Sequence, residues 1–264
     1  MTNAAAIIIG AGSSQSARAV GLKDLSHSDP AAVVIADYAR RLGYTQVEEL
    51  IGPNAKYKKV DDALQQAAAA CPAWDTVLIV FSGHGYRMDA GLKCDHYDDM
   101  HWCLDDAMMV DHHLLSRTQR FSERTRLFIL ADCCFAAGGS GRDGMPKMVM
   151  AKASAPILAP SALPLSPWEK AVEDGRAAVR RDHTFNCEKP KAETLLFAAA
   201  DEAPAPAGVF MGALLQVWQP GVEQSFRDLH GQVLALVLQQ SANTNTPRLI
   251  PANSPLLDAP AFVP

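Results

Sequence analysis

Short apolar runs bounded by turn residues recur along the chain. AAAIII at 4–9, TVLIVFS at 76–82, LFILA at 127–131 and ETLLFAAA at 193–200 have the length and continuity of strands covered on both faces. VEELI at 47–51 reads as a shorter strand, and helical stretches lie between the early runs. Asp29 followed by Pro30 marks a helix start, since a carboxylate caps open amides and proline needs no donor there, and Gly43 marks the stop. Residues 58–70 are alanine-rich and helical, 208–219 (GVFMGALLQVWQ) and 226–240 are apolar helices, and Gly52-Pro53-Asn54 is a turn. Alternating strand and helix predicts an α/β fold, a parallel sheet with helices on both faces.

Two strands deliver titratable side chains to their carboxyl ends, the edge of an open α/β sheet where chemistry collects. Asp132, Cys133 and Cys134 follow 127–131, and Gly83, His84 and Gly85 follow 76–82. If the strands are neighbours, an imidazole faces a thiol. A thiol with a pKa of about 8.5 is mostly un-ionised at neutral pH, so a nearby base is what makes it a nucleophile. The bland alternatives are a buried small hydrophobe and a satisfied surface histidine. Cys134 follows His84 by about 50 positions, the separation of the caspase histidine and cysteine.

Ser82-Gly83-His84-Gly85 and Asp132-Cys133-Cys134-Phe135 resemble the S-G-H-G and D-x-C motifs of peptidase family C14 in its bacterial metacaspase (orthocaspase) branch; the animal Q-A-C-R-G form is absent. Residues 208–219 resemble the family's small-part helix, and Thr246-Pro247-Arg248-Leu249-Ile250 its closing strand. Phe135-Ala136-Ala137 stands where metacaspases commonly have His-Ser-Gly. The resemblance implies a caspase-like fold with a mostly parallel six-stranded sheet. It implies a cysteine endopeptidase with Cys134 as nucleophile rather than Cys133, His84 moving protons, and the amides of Gly85 and Cys134 as the oxyanion hole. Metacaspases cleave after Arg or Lys, and Asp132, Asp201 and Glu202 are the carboxylates to hold such a cation, against a plain capping role for the last two.

A single domain of 264 residues is expected, with 1–137 as the large part, 193–264 as the small part, and 138–192 as a cleavable linker rich in Gly, Pro, Ala and Ser. Residues 167–180 read as its one helical stretch. In caspase-like proteins this is where a latent chain is cut, and the pair Arg180-Arg181 offers the residue type an acidic pocket accepts. An activating protease is the alternative cutter. The tail 251–264, with its prolines, reads as a loosely packed terminus.

The segment 86–123 is rich in Asp and His and reads as an irregular acidic loop with a short helix near 111–119. Because many metacaspases depend on calcium, Asp99, Asp111 and Asp143 are candidate Ca²⁺ ligands. Zinc on Cys94, His96, His101 and Cys103 is a further reading, with spacing that fits no standard finger.

With 48% hydrophobic and 20% charged residues and a net charge of −5, the chain has a core but no basic stripe, so nucleic acid is not an expected partner. The opening MTNAAAIIIGAGSS has no basic first region, and its apolar run is too short for a secretory signal or a membrane span. Six irregularly spaced cysteines do not resemble a secreted disulfide framework, which suits a reducing cytoplasm. Protein or peptide substrates and a monomeric state are expected. Two other classes stay open: a caspase-fold interaction module whose activity has lapsed, and another cysteine hydrolase such as a thioesterase or amidase.

Overall fold

The computed structural model describes residues 3–70, 75–88, 99–133, 190–199, 208–241 and 246–264. β1 (Ala4–Ala11) and β3 (Thr76–Gly83) are buried at every position, as apolar runs covered on both faces must be. With β2 (Gln46–Ile51), β7 (Arg126–Asp132), β8 (Glu193–Ala198) and β9 (Arg248–Ile250) they form one six-stranded sheet of order β2-β1-β3-β7-β8-β9. Every pairing is parallel except β8 with β9. The histidine and cysteine strands are thus direct neighbours, with Ser82 opposite Asp132.

Side chains alternate across this sheet into two apolar layers. On one face Leu78, Val80, Phe128 and Leu130 pack with α2 (Ser28–Leu42), α5 (Val209–Val217) and α6 (Phe226–Gln240). On the other, Val77, Ile79, Leu127 and Ile129 pack with α3 (Tyr57–Ala69) and α4 (Asp111–Thr118). Each fully buried Leu, Ile or Phe stabilises this arrangement by about 1.5–3 kcal/mol before chain entropy is counted.

The structure corrects three expectations. First, the described part of 86–123 is not an irregular loop. Its described residues form β4 (Gly85–Met88), β5 (Asp99–Cys103) and β6 (Met108–Val110), a small antiparallel sheet, followed by α4. Trp102, Leu104, Met108 and Met109 are buried, and Trp102 stacks on Phe81 at 4.5 Å, joining the small sheet to the large one. The charged residues between these apolar positions obscure the pattern. Second, Asp29 does not cap α2. The helix begins at Ser28 with His27 as N-cap and no side-chain cap bond, and the Asp29 carboxylate accepts the Gly12 N–H at 2.7 Å. Third, the tail is packed. Phe262 is fully buried against Trp218 and Phe226, and the Tyr44 hydroxyl donates to its carbonyl at 3.0 Å. The prolines do not prevent this, because Pro255 opens a short helical turn whose first amides Ser254 caps.

The polar loop between β1 and α2, whose role is illegible in the sequence, carries α1 (Gln15–Ala19). Gly12 clamps it: the Leu25 N–H donates to the Gly12 carbonyl at 2.7 Å, and a Cβ on Gly12 would sit 2.4 Å from the Leu25 carbonyl oxygen. The loop is thereby folded back over the carboxyl edge of the sheet.

Candidate active site

His84 leaves β3 at that edge, and its imidazole is half-buried. Its Nε2 lies 2.6 Å from the Lys23 carbonyl oxygen on the folded-back loop. A carbonyl only accepts, so Nε2 carries the hydrogen, and in the neutral ring Nδ1 keeps the lone pair that can take a proton. The loop beneath Lys23 is braced by Arg18, whose Nε donates to Asp24 at 2.8 Å, while Ser13 donates to the same carboxylate at 3.0 Å. Those hydrogen bonds, from Arg18 first and Ser13 second, hold the exposed Asp24 carboxyl below its ordinary value.

Gly85 follows as the first residue of β4, paired with Trp102. The Cys103 N–H donates to the His84 carbonyl at 3.0 Å, which makes Gly85 and Trp102 a non-hydrogen-bonded pair. The Gly85 N–H therefore points away from β5, on the outer side of an edge strand.

Asp132 ends β7 on the face shared with α2, α5 and α6, and it is buried. The Ser82 hydroxyl donates to its Oδ2 at 2.7 Å, and His27 Nε2 stands 3.9 Å from the same oxygen. Burial pushes the Asp132 carboxyl up from its ordinary value, while the Ser82 hydrogen bond and the His27 charge act against that rise. Cys133, one residue on, falls on the opposite face among the apolar side chains that pack on α3 and α4.

Of the other residues singled out from the sequence, Cys134, Asp143, Arg180, Arg181, Asp201 and Glu202 lie outside the described residues, as do Cys94 and His96 and the helix read at 167–180. Asp99 opens β5 and Asp111 opens α4 directly after β6. His101 and Cys103 are buried in β5. Among the described residues, no three His, Cys, Asp or Glu side chains come together as metal ligands would. Among the described residues, no helix is long and apolar enough to cross a membrane.

The family model for the caspase domain of peptidase family C14 matches residues 3–254. The chain belongs to that family of cysteine peptidases. Its caspase domain is similar in fold to protein GSU0716 of Geobacter sulfurreducens, with a TM-score of 0.70, 20% identity, and coverage of 99% of this chain and 98% of that one. Caspase-1 from Spodoptera frugiperda aligns with a TM-score of 0.49 and 14% identity over 94% of this chain and 84% of its own. The pro- and mature domains of RgpB from Porphyromonas gingivalis align at 0.44 and 13% identity, over 97% of this chain and 48% of that one. No curated protein matches the chain.

Three contributors to this edge escaped the sequence reading. The Lys23 carbonyl is a backbone group, which no side-chain motif can flag. The Ser82 hydroxyl lay inside the S-G-H-G motif without an assigned partner. His27 carried a weak signal, since histidine is a poor choice for a helix N-cap.

Proposed function

We propose that this caspase domain is a cysteine endopeptidase of the metacaspase (orthocaspase) type, cleaving after Arg or Lys with Cys134 as nucleophile and His84 as its proton carrier. The observation that carries the reading is the His84–Lys23 hydrogen bond at 2.6 Å, because it presents a basic Nδ1 at the edge where β7 ends two residues before Cys134. The Cys134 thiol proton passes to His84 and its sulfur bonds to the peptide carbonyl carbon. The resulting oxyanion is met by the N–H groups of Gly85 and Cys134, each donor of this kind contributing about 10²–10³ in rate. His84 then gives its proton to the leaving amine as the C–N bond breaks, and water hydrolyses the thioester.

Specificity rests on charge. Asp132 is the buried acid beside the dyad, and Asp201 and Glu202, just beyond β8, are proposed as the second wall. A carboxylate pair suits the planar fork of a guanidinium. The parts 1–137 and 193–264 act as one domain joined by 138–192, whose cutting at Arg180-Arg181 or by another protease turns on a latent chain. A monomer in a reducing cytoplasm fits this reading, because β9 is a three-residue edge strand between Pro247 and Pro251 and offers little to a second sheet. No step of the chemistry passes through Ca²⁺.

A peptide ending in Arg with a fluorogenic leaving group tests the reading. Wild type should release the fluorophore and Cys134→Ala should not, with calcium present or absent as a separate arm. Wild type inert on Arg, Lys and Asp peptides alike would return the chain to the class of lapsed interaction modules.

A further inference from the structure

His27 is the N-cap residue of α2, and its carbonyl accepts the Ala31 N–H at 3.0 Å, but its side chain makes no cap bond. Its imidazole instead reaches across the carboxyl edge. Nε2 stands 3.9 Å from Asp132 Oδ2, and the side chain is 28% exposed where that of Asp132 is 7% exposed. The ring is wedged from the other side by Gly208, the N-cap of α5. A Cβ there would lie 3.0 Å from His27 Cγ, and Gly208 sits at φ 77°, a conformation that side chains rarely adopt. Three elements thus hold one imidazole against one buried carboxylate: β7 through Asp132, α2 through His27 itself, and α5 through the Gly208 backbone. Among the described residues, Asp132 is the charged group facing His27. The Ser28 hydroxyl lies 3.5 Å from its Nε2, and the Ser82 hydroxyl bonds to the same Asp132 carboxylate.

We infer that His27 is a specificity-determining residue, an imidazole resident beside Asp132 that an incoming Arg or Lys side chain meets before it meets the carboxylate. The inference rests on the reading of Asp132 as the acid that recognises the substrate cation. It adds a condition to that recognition. When His27 is neutral, its flat ring is a surface along which a guanidinium can lie and its nitrogen is no rival for the carboxylate. When His27 is protonated, the imidazolium is itself the counter-ion of Asp132, and a second cation must expel either the ring or its proton to water. Histidine is the side chain whose charge changes between about pH 5 and 8, so substrate recognition is coupled to pH independently of the catalytic histidine.

The test separates KM from kcat. Wild type, His27→Asn and His27→Gln are assayed on Arg and Lys peptides from pH 5.5 to 8.0, with thermal unfolding confirming that each is folded. Asn is a good N-cap residue, so the helix start is not weakened. In wild type KM should rise by about tenfold toward the acid end, the size of one like-charge contact. In both neutral variants the rise should be several-fold smaller, the remainder being protonation of Asp132 itself, whose carboxyl burial pushes up, while kcat declines in parallel in all three because His84 is untouched. A KM profile that rises in the variants as in wild type overturns the inference. Cleavage after Arg that survives Asp132→Asn overturns the underlying reading of the acid instead, so the two failures are distinguishable.

Discussion

Ser82 and Asp132 are register partners at the carboxyl ends of neighbouring parallel strands, and the hydroxyl of one donates to the carboxylate of the other at 2.7 Å. The pair keeps an acid in a place where an acid is costly. Burial raises the Asp132 carboxyl above its unfolded value, so its favourable contribution is fully present below about pH 3.9 and is lost as pH rises through the folded pKa. Asparagine has the same shape, and its carbonyl can accept from Ser82. Asp132→Asn should therefore melt higher than wild type at pH 7, and by a smaller margin at pH 4. Its kcat/KM after Arg should fall by hundreds-fold or more, because a buried cation loses its partner at a cost on the order of 3–5 kcal/mol. Thermal unfolding at the two pH values, run beside the peptidase assay, checks both halves; an unchanged or lower melting point at pH 7 would sink the burial argument.

The two adjacent thiols should behave differently. Cys133 is 4% exposed in an apolar layer, so it is placed for packing. Cys133→Ala should retain most of the activity and lose about 1 kcal/mol of stability through the small cavity it leaves. Cys134→Ala should lose all measurable activity with no change in stability beyond a few tenths of a kcal/mol. Turnover and unfolding free energy, measured on both variants, decide it. Retained activity in Cys134→Ala would reverse the assignment.

What the sequence discloses and what it hides divides along physical lines. The strands Ala4–Ala11, Thr76–Gly83 and Arg126–Asp132 are legible because burial on both faces forces continuous apolar runs, and these runs place His84 and Asp132 at one edge. Helix α6 is legible to the residue as an apolar stretch, and in the structure Ser225 caps it by accepting from the Asp228 N–H. The small sheet is not, because its apolar residues are few and its strands are short enough for Asp and His to dominate any window. The tail fails for a related reason: Phe262 is buried by tertiary partners more than thirty positions away, Trp218 and Phe226, which local composition cannot see. Within the site, the motif residues are readable. The groups that orient them, the Lys23 carbonyl and the Gly12 clamp, are backbone geometry.

Helices α3 and α4 are joined by a part-buried polar chain. The Tyr57 hydroxyl lies 3.3 Å from His113 Nδ1, and Asp61 Oδ1 accepts from His113 Nε2 at 2.6 Å and from Arg117 Nε at 2.6 Å. Burial acts to raise the Asp61 carboxyl, but the hydrogen bonds and charges of His113 and Arg117 outweigh it and hold the group well below the usual carboxylate range. A depressed folded pKa means that this stability is present above the unfolded value of about 3.9 and is lost as pH falls toward the folded one. Asp61→Asn should cost on the order of 3 kcal/mol at pH 7, since Arg117 stays buried without that carboxylate, and should flatten the acid limb of the stability profile below about pH 4. Chemical denaturation at pH 7 and pH 3 measures this; a loss of the same size at both values would mean that the carboxylate charge is not what stabilises the contact.

The switch proposed for the connection between β7 and β8 rests on topology as much as on composition. The strands are parallel, with Arg126 opposite Glu193 and Ala131 opposite Ala198. The chain therefore leaves β7 at the active edge and re-enters β8 at the far end of the sheet. Residues 133–192 must cover that whole distance, with Cys134, the proposed nucleophile, second among them. An uncut connection ties the backbone that shapes Cys134 and its oxyanion donor to the opposite end of the molecule. In the proposed switch, a cut after Arg180 or Arg181 separates the two ends and lets the loop after β7 settle around substrate, a local event with a catalytic readout. Cleavage at those arginines by the domain itself also matches the specificity assigned to Asp132. Purified wild type should convert with time into two fragments meeting at 180–181, with peptidase rate rising in step. Cys134→Ala should remain whole, and Arg180→Ala/Arg181→Ala should stay both uncut and slow on peptide. Fragment masses read beside peptidase rate decide the matter: full activity from a chain that is never cut would end the latency proposal, and cutting that persists in Cys134→Ala would assign the first cut to another protease.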